Sequence, residues 1–324
     1  MRISVRHLSV AGTLLVCGAD LLIANRLRAD AFARPAPAAE ISDAEEQRER
    51  QLLARTRRAG AAWIRETDHL QWSIRSRDGI KLVGYYFPSP RKSKNCVLLV
   101  HGHNGSSRDM GIIAAQYHER QFNVLLIDSR GHGQSGGCYS GLGWLEGQDC
   151  TLWIDRIVEL GENTAVVLHG ISMGANTLLN AAGEGLPSEV RAVIADSPFT
   201  SVRAIMTYRL HKHHIPAVPI LISAALLNLT GERHQIFGAD TRKQVARSQV
   251  PILFIHSQAD QQNPPRMSRQ LYDRAAGCSE LWITGDAPHG MLFATEKAAY
   301  TTRVFEFIQR ALALGDGSRE VAAR

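Results

Sequence analysis

The 324-residue sequence lacks several signatures. It has five cysteines, and no two stand in a C-x-x-C pair, which argues against a zinc ribbon or a thioredoxin-like site. No internal repeat occurs, so solenoid and propeller arrays fall away. Aromatic residues make up only 6%, and no basic stripe interleaves with them, so the footprint of a nucleic-acid binder is missing. Neither sign of charge dominates. The 37 Lys and Arg against 31 Asp and Glu leave +6, with a pI near 9.2. That is a modest basic surface, compatible with an anionic membrane or an acidic substrate. What remains is an ordinary globular composition, 44% hydrophobic and 21% charged. Its length fits one large α/β domain with an N-terminal extension.

The extension has its own character. Residues 1–28 read as a signal peptide or membrane anchor: Arg2 and Arg6 supply a positive start, and Leu8 to Cys17 is mostly apolar. The run exceeds a short secretory core, yet Asp20 interrupts it before the ~20 residues that a spanning helix needs. The expected location is therefore exported or membrane-anchored, with association through the N-terminus. Residues 29–62 are Ala/Pro-rich and then alternate in charge (Glu45, Glu46, Arg48, Glu49, Arg50). They predict a linker and a solvent-exposed helix. Cys138 and Cys150 bracket a short Gly-rich loop and could pair in an exported domain, but reduced thiols are the expectation.

From residue 63 to 315 the pattern is regular. Two strand-like runs, 69–77 and 80–88, flank the hairpin signal Asp78-Gly79. Then come short runs rich in Val, Leu and Ile: 96–101, 123–128, 165–169, 192–196, 252–256 and 281–284. Helical stretches such as 144–160 and 301–313 separate them. Continuous apolar runs suit parallel strands buried on both faces. The alternation predicts an α/β fold, a mostly parallel sheet flanked by helices. Residues 200–246 break the rhythm and predict an inserted cap, with an apolar run at 220–227. Residues 316–324 read as a C-terminal tail.

Several residues carry chemistry. Gly170-Ile171-Ser172-Met173-Gly174 follows a strand and precedes a helical run, the strand–turn–helix context in which G-x-S-x-G exposes a serine nucleophile. Acyl transfer creates an oxyanion, which needs backbone N–H donors. Met173, next to the serine, and His103, in His101-Gly102-His103-Asn104-Gly105 after an earlier strand, are the candidate donors. The side chains of His101 and His103 are expected to be structural. Asp260 and His289 each lie just past a strand end, in the chain order Ser, Asp, His. His289 would act as base and Asp260 as its orienting acid. Asp196 ends another strand and rivals Asp260. Asp260 is preferred because it lies nearer the histidine strand, and Asp196 is expected to bond loop backbone instead. His211, His213 and His214 cluster without the carboxylate or cysteine spacing of a metal site, so no metal or cofactor is expected.

These motifs resemble bacterial α/β-hydrolases of the serine-aminopeptidase-like and monoglyceride-lipase-like group, from about Trp72 to Gln309. The marks are Asp78-Gly79 with Gly84-Tyr85-Tyr86; His101-Gly102; Asp128 to Ser135; Gly170 to Ala175; Asp196-Ser197-Pro198-Phe199; the Asp260 loop; and His289. The resemblance implies about eight strands, an inserted cap, and hydrolysis of carboxylic esters or related acyl bonds. Two positions depart from the group. His256-Ser257 stands where His-Gly is usual, and Asn263-Pro264 where Val-Pro is usual.

The expected activity is an ester hydrolase acting through an acyl-enzyme on a small acyl ester or amide. The alternatives are a peptidase or amidase with the same triad, an acyltransferase, and a non-catalytic membrane-tethered binding module.

Overall fold

Strands buried along most of their length form the middle of the architecture. The computed structural model describes residues 22–26, 44–228 and 236–322. Its eight strands are β1 (Leu70–Arg75), β2 (Lys81–Phe87), β3 (Asn95–Val100), β4 (Asn123–Asp128), β5 (Ala165–Ile171), β6 (Val190–Asp196), β7 (Ile252–Ser257) and β8 (Ser279–Thr284). They form one sheet in the order β1-β2-β4-β3-β5-β6-β7-β8. β1, β2 and β4 pair antiparallel, and from β4 to β8 every pair is parallel. The central strands are the uninterrupted apolar runs, whereas β1 alternates between exposed and half-buried residues at the edge.

Helices cover both faces. One core holds Leu98, Trp153, Leu168 and Phe254, and the other holds Phe87, Leu99, Tyr117 and Tyr300. Each such large apolar side chain contributes about 1.5–3 kcal/mol on burial. The principal helices in the body are α2 (Gly111–Glu119), α3 (Trp144–Glu159), α4 (Met173–Ala182) and α10 (Lys297–Ala322). α10 runs past residue 315, where the sequence reading closes the domain. The chain passes from β3 outward to β4, then back to β5 on the other side of β3. That reversal opens a crevice at the carboxyl ends of β3 and β5, where open α/β sheets bind ligands.

The hairpin at Asp78-Gly79 forms as expected, with Gly79 at φ +84. Asp78 also accepts from Arg130 at 2.9 and 3.1 Å, and Arg130 pairs with Asp149 at 2.7 Å, so the turn is tied to the loop after β4 and to α3.

The expected linker lies outside the described residues, and the helix expected after it is present with one face docked. Helix α1 (Ala44–Glu66) docks on the domain. Leu52, Trp63 and Ile64 pack against the second core, with the Trp63 and Phe87 rings 4.6 Å apart. Gly60 meets Gly111 of α2 backbone to backbone, and a Cβ on either would strike the other. The docking stripe runs through Leu52, Thr56, Gly60, Trp63 and Ile64 at helical spacing. Its small members Thr56 and Gly60 are invisible to an apolar count.

The cap holds α5 (Val202–Lys212), α6 (Ala217–Asn228) and α7 (Thr241–Val245). Ile205, Ile220, Leu221 and Ala224 pack with Leu142, Met173 and Met267 of the body. Of the segment read as signal or anchor, only 22–26 are described, and Ala24 is buried in this same cluster. No helix among the described residues is long and apolar enough to cross a membrane.

Candidate active site

Ser172 alone turns the chain between β5 and α4. Its φ of +56 and ψ of −117 are strained for a residue with a side chain, at a cost of order 1–3 kcal/mol. The neighbours hold it there. A Cβ at Gly170 would strike the Gly174 backbone, and one at Gly174 would strike the Val100 carbonyl. Strand and helix therefore approach closely only because both residues are glycine. The Ser172 amide donates to the Asp196 carbonyl at 2.7 Å.

β3 pairs beside β5, with Val100 opposite Gly170. The loop at 101–105 therefore runs alongside Ser172, and a Cβ on Gly102 would lie 3.5 Å from that of Ser172. His103, Asn104 and Gly105 line the same cavity as Ser172 and His289, about 430 Å³ in volume. Met173 opens α4, so its amide is among the first-turn donors that lack an intrahelical acceptor. The helix dipole favours negative charge at that end. The His101 ring is structural: Nδ1 donates to the Gly102 carbonyl at 2.7 Å, and Nε2 accepts from the Ser129 amide at 3.1 Å.

His289 lies in the loop after β8, where Gly285 and Gly290 both have positive φ. Its ring bridges two strand ends. The Ser172 hydroxyl lies 2.8 Å from Nε2, and Asp260 Oδ2 lies 2.6 Å from Nδ1. Because the carboxylate can only accept, Nδ1 carries the hydrogen and Nε2 is left to accept from the serine.

This sheet and elbow have counterparts in known proteins. The family described as Hydrolase_4: Serine aminopeptidase, S33, matches residues 91–237. The uncharacterised protein YqkD of Bacillus subtilis is 29% identical over 242 residues, 72% of this chain and 77% of its own. YfhR of Escherichia coli K12 is 28% identical over 251 residues, 74% and 82% of the two chains. Among solved structures, the Pyrococcus furiosus esterase Pf2001 matches with a TM-score of 0.64 at 21% identity, over 86% of this chain and 98% of that one. Ferulic-acid-bound Est1E from Butyrivibrio proteoclasticus matches with a TM-score of 0.56 at 19% identity, over 75% and 99%. The fold is that of the α/β-hydrolases.

In this α/β-hydrolase fold the carboxylate beside the histidine is unusually well held. Asp260 Oδ1 accepts from the amides of Gln262 and Asn263 at 2.8 and 2.9 Å. Oδ2 accepts from His289 and also from His256 Nε2 at 3.0 Å. Burial alone would raise this carboxyl, but the two imidazoles and their hydrogen bonds outweigh it and hold the group well below the usual carboxylate range. Asp196, the rival, makes no hydrogen bond to His289. It accepts from the hydroxyls of Ser197 and Tyr300 at 2.8 and 3.0 Å, so its partners are side chains, not the loop backbone the sequence suggested. Its burial pushes its carboxyl up.

Sequence reasoning missed His256 as part of the site. Nε2 faces two acceptors, Asp260 and the Asn263 carbonyl at 2.9 Å, while Nδ1 accepts from Ser268 at 2.6 Å. The two departures from the family pattern also have structural uses. Ser257 donates to the Ala287 carbonyl at 2.6 Å, tying β7 to the histidine loop. Asn263 Nδ2 donates to the Ser197 carbonyl at 2.8 Å, tying the acid loop to β6.

The exposed histidines 211, 213 and 214 form no metal-binding group with other ligands among the described residues. Cys138 and Cys150 are unpaired, the first exposed and the second buried.

Proposed function

We propose that this α/β-hydrolase is a serine hydrolase that cleaves carboxylic ester bonds through an acyl-enzyme. The observation that carries the reading is His289 spanning Ser172 and Asp260 within hydrogen-bond reach on both sides. Ser172 Oγ attacks the ester carbonyl carbon while His289 Nε2 takes the hydroxyl proton. The oxyanion is met by the backbone amides of His103 and Met173. Collapse breaks the bond to the leaving oxygen, which receives the proton from His289. Water, deprotonated by the same nitrogen, then attacks the acyl-enzyme and releases the acid and the serine.

Ester cleavage is favoured over aminopeptidase action by the carboxylates available to hold a substrate amine. In the described part of the cap, Asp240 is held by Arg242 at 2.7 Å and lies away from the cavity. Of the two carboxylates among the described residues that line the cavity, Asp109 is paired with Arg57, and Glu49 on α1 accepts from Gln262 and shares the cavity with the cations Arg57, Arg209 and Lys212. Pf2001 is described as an esterase, which accords with the same reading. We further propose that the apolar N-terminal run associates the domain with a membrane.

The test is hydrolysis of p-nitrophenyl esters by wild type and Ser172→Ala, with fluorophosphonate labelling of the intact protein. Loss of at least about a thousandfold in turnover, together with loss of labelling, is expected. A Ser172→Ala variant with near wild-type rate would refute the mechanism. Aminoacyl substrates run beside an acyl-chain series separate peptidase from esterase.

A further inference from the structure

One charged group in the cavity is unused by the proposed chemistry. Arg209 projects from α5, in the cap, and lines the cavity with Ser172 and His289. It is half-buried, and no acceptor among the described residues lies within hydrogen-bond or ion-pair distance of its guanidinium. The other arginine of the cavity, Arg57, is matched by Asp109. A half-buried cation with no partner is costly to keep unless something else supplies the counter-charge.

The cap places Arg209 deliberately. Tyr208 and Lys212, four residues apart on one helix face, both reach the Gln261 carbonyl, at 3.2 and 3.4 Å. Gln261 directly follows Asp260, so α5 lies clamped over the acid loop. Arg209, next to Tyr208, then stands near enough to Asp260 for the carboxylate to oppose the effect of burial, which lowers the guanidinium's pKa. Lys212 adds a second positive charge to the same wall. Across the cavity the carboxylate of Glu49 on α1 accepts from Gln262 at 3.0 Å.

We propose that Arg209 is an anion subsite and that the preferred substrates are acyl esters bearing a carboxylate or phosphate a few bonds from the scissile carbonyl. A planar guanidinium offers paired donors that match such oxyanions. This inference rests on the serine-hydrolase reading and adds the substrate class to it.

The experiment uses the full chain and three matched substrate pairs. The acyl-side pair is mono-p-nitrophenyl glutarate against p-nitrophenyl pentanoate. The alcohol-side carboxylate pair is butyryl glycolate against ethyl butyrate. The phosphate pair is butyryl glycerol 3-phosphate against butyryl glycerol. Fluorophosphonate titration counts assembled sites, so rates are compared per labelled Ser172. In wild type, kcat/KM for the anionic member of at least one pair is expected to exceed its neutral partner by about ten- to a hundredfold, the range of a charge-assisted hydrogen bond. The pair that responds identifies the source of the anion. Arg209→Gln should lose most of that ratio and Arg209→Lys should keep part of it. Equal kcat/KM within all three pairs overturns the subsite while leaving the serine-hydrolase reading intact, and so does a preference that survives in Arg209→Gln. Absence of both labelling and turnover sinks the underlying reading and the subsite with it.

Discussion

Arg57 on α1 grips Asp109 beside α2 with two hydrogen bonds, Nε to Oδ1 at 2.5 Å and Nη2 to Oδ2 at 3.0 Å. Asp109 Oδ2 also accepts from the Ser106 amide at 2.9 Å, at the end of the loop that carries His103. Eight residues before Arg57 on the same helix, Glu49 accepts from Gln262 in the acid loop. The N-terminal helix thus bridges the two loops that flank Ser172, with Leu53 lining the cavity between them.

The first prediction concerns this bridge. Arg57→Ala should raise KM more than it lowers kcat, because it loosens a wall and touches no reacting atom. Its stability cost should be only about 1 kcal/mol, since the arginine is partly exposed and solvent screens the pair. Asp109→Ala also releases the Ser106 amide and should lower kcat further, by about tenfold. Steady-state kinetics with urea titrations check both, and equal effects on kcat would rule out the distinction.

The second concerns His256, which positions Asp260. His256→Phe removes one donor to the carboxylate and should cut kcat about tenfold with little change in KM. His256→Gln retains an N–H donor and should recover part of the loss. A purely structural role would move stability and leave the two variants with equal kcat per labelled site.

A third follows from the Ser257 hydroxyl. Ser257→Ala leaves the buried Ala287 carbonyl without this donor, at a cost of about 1–3 kcal/mol. Urea unfolding should report that loss. The same variant should slow fluorophosphonate labelling, because the loop carrying His289 loses a tie to β7.

The fourth is a pH effect on stability. His169 lies buried between the hydroxyls of Tyr117 and Tyr300, at 3.0 and 2.9 Å. Burial lowers its pKa to about 3. Unfolded, the imidazole gains a proton below about 6.5; folded, it stays neutral until about 3. Its contribution is therefore complete above pH 7 and is lost as pH falls from about 6.5 toward 3. The loss should reach about 2 kcal/mol at pH 5. Urea unfolding at pH 7.5 and pH 5 should show wild type losing that much more than His169→Asn. Parallel losses in the two proteins would contradict it.

Much of the sheet was legible in the sequence because a buried parallel strand needs apolar side chains on both faces. The runs at 96–101, 123–128 and 252–256 could hardly serve another purpose. The elbow was legible for a steric reason: Gly170 and Gly174 bracket Ser172 because no Cβ fits beside the Gly174 backbone or the Val100 carbonyl. The choice of Asp260 over Asp196 followed from strand adjacency, and β7 does lie between β6 and β8.

By itself the sequence determined what short-range chemistry dictates: strand runs, the strained turn, and the Ser, Asp, His order along the chain. Only the tertiary structure decided which distant groups share a partner. The second imidazole on Asp260, the Ser257 tie to the histidine loop, the docking of α1 and the position of Arg209 over the cavity all join residues on separate elements. A local pattern records the apolar or polar character of each position. It does not record the partner, because hydrogen bonds and charge pairs across a fold depend on distances that chain spacing leaves open.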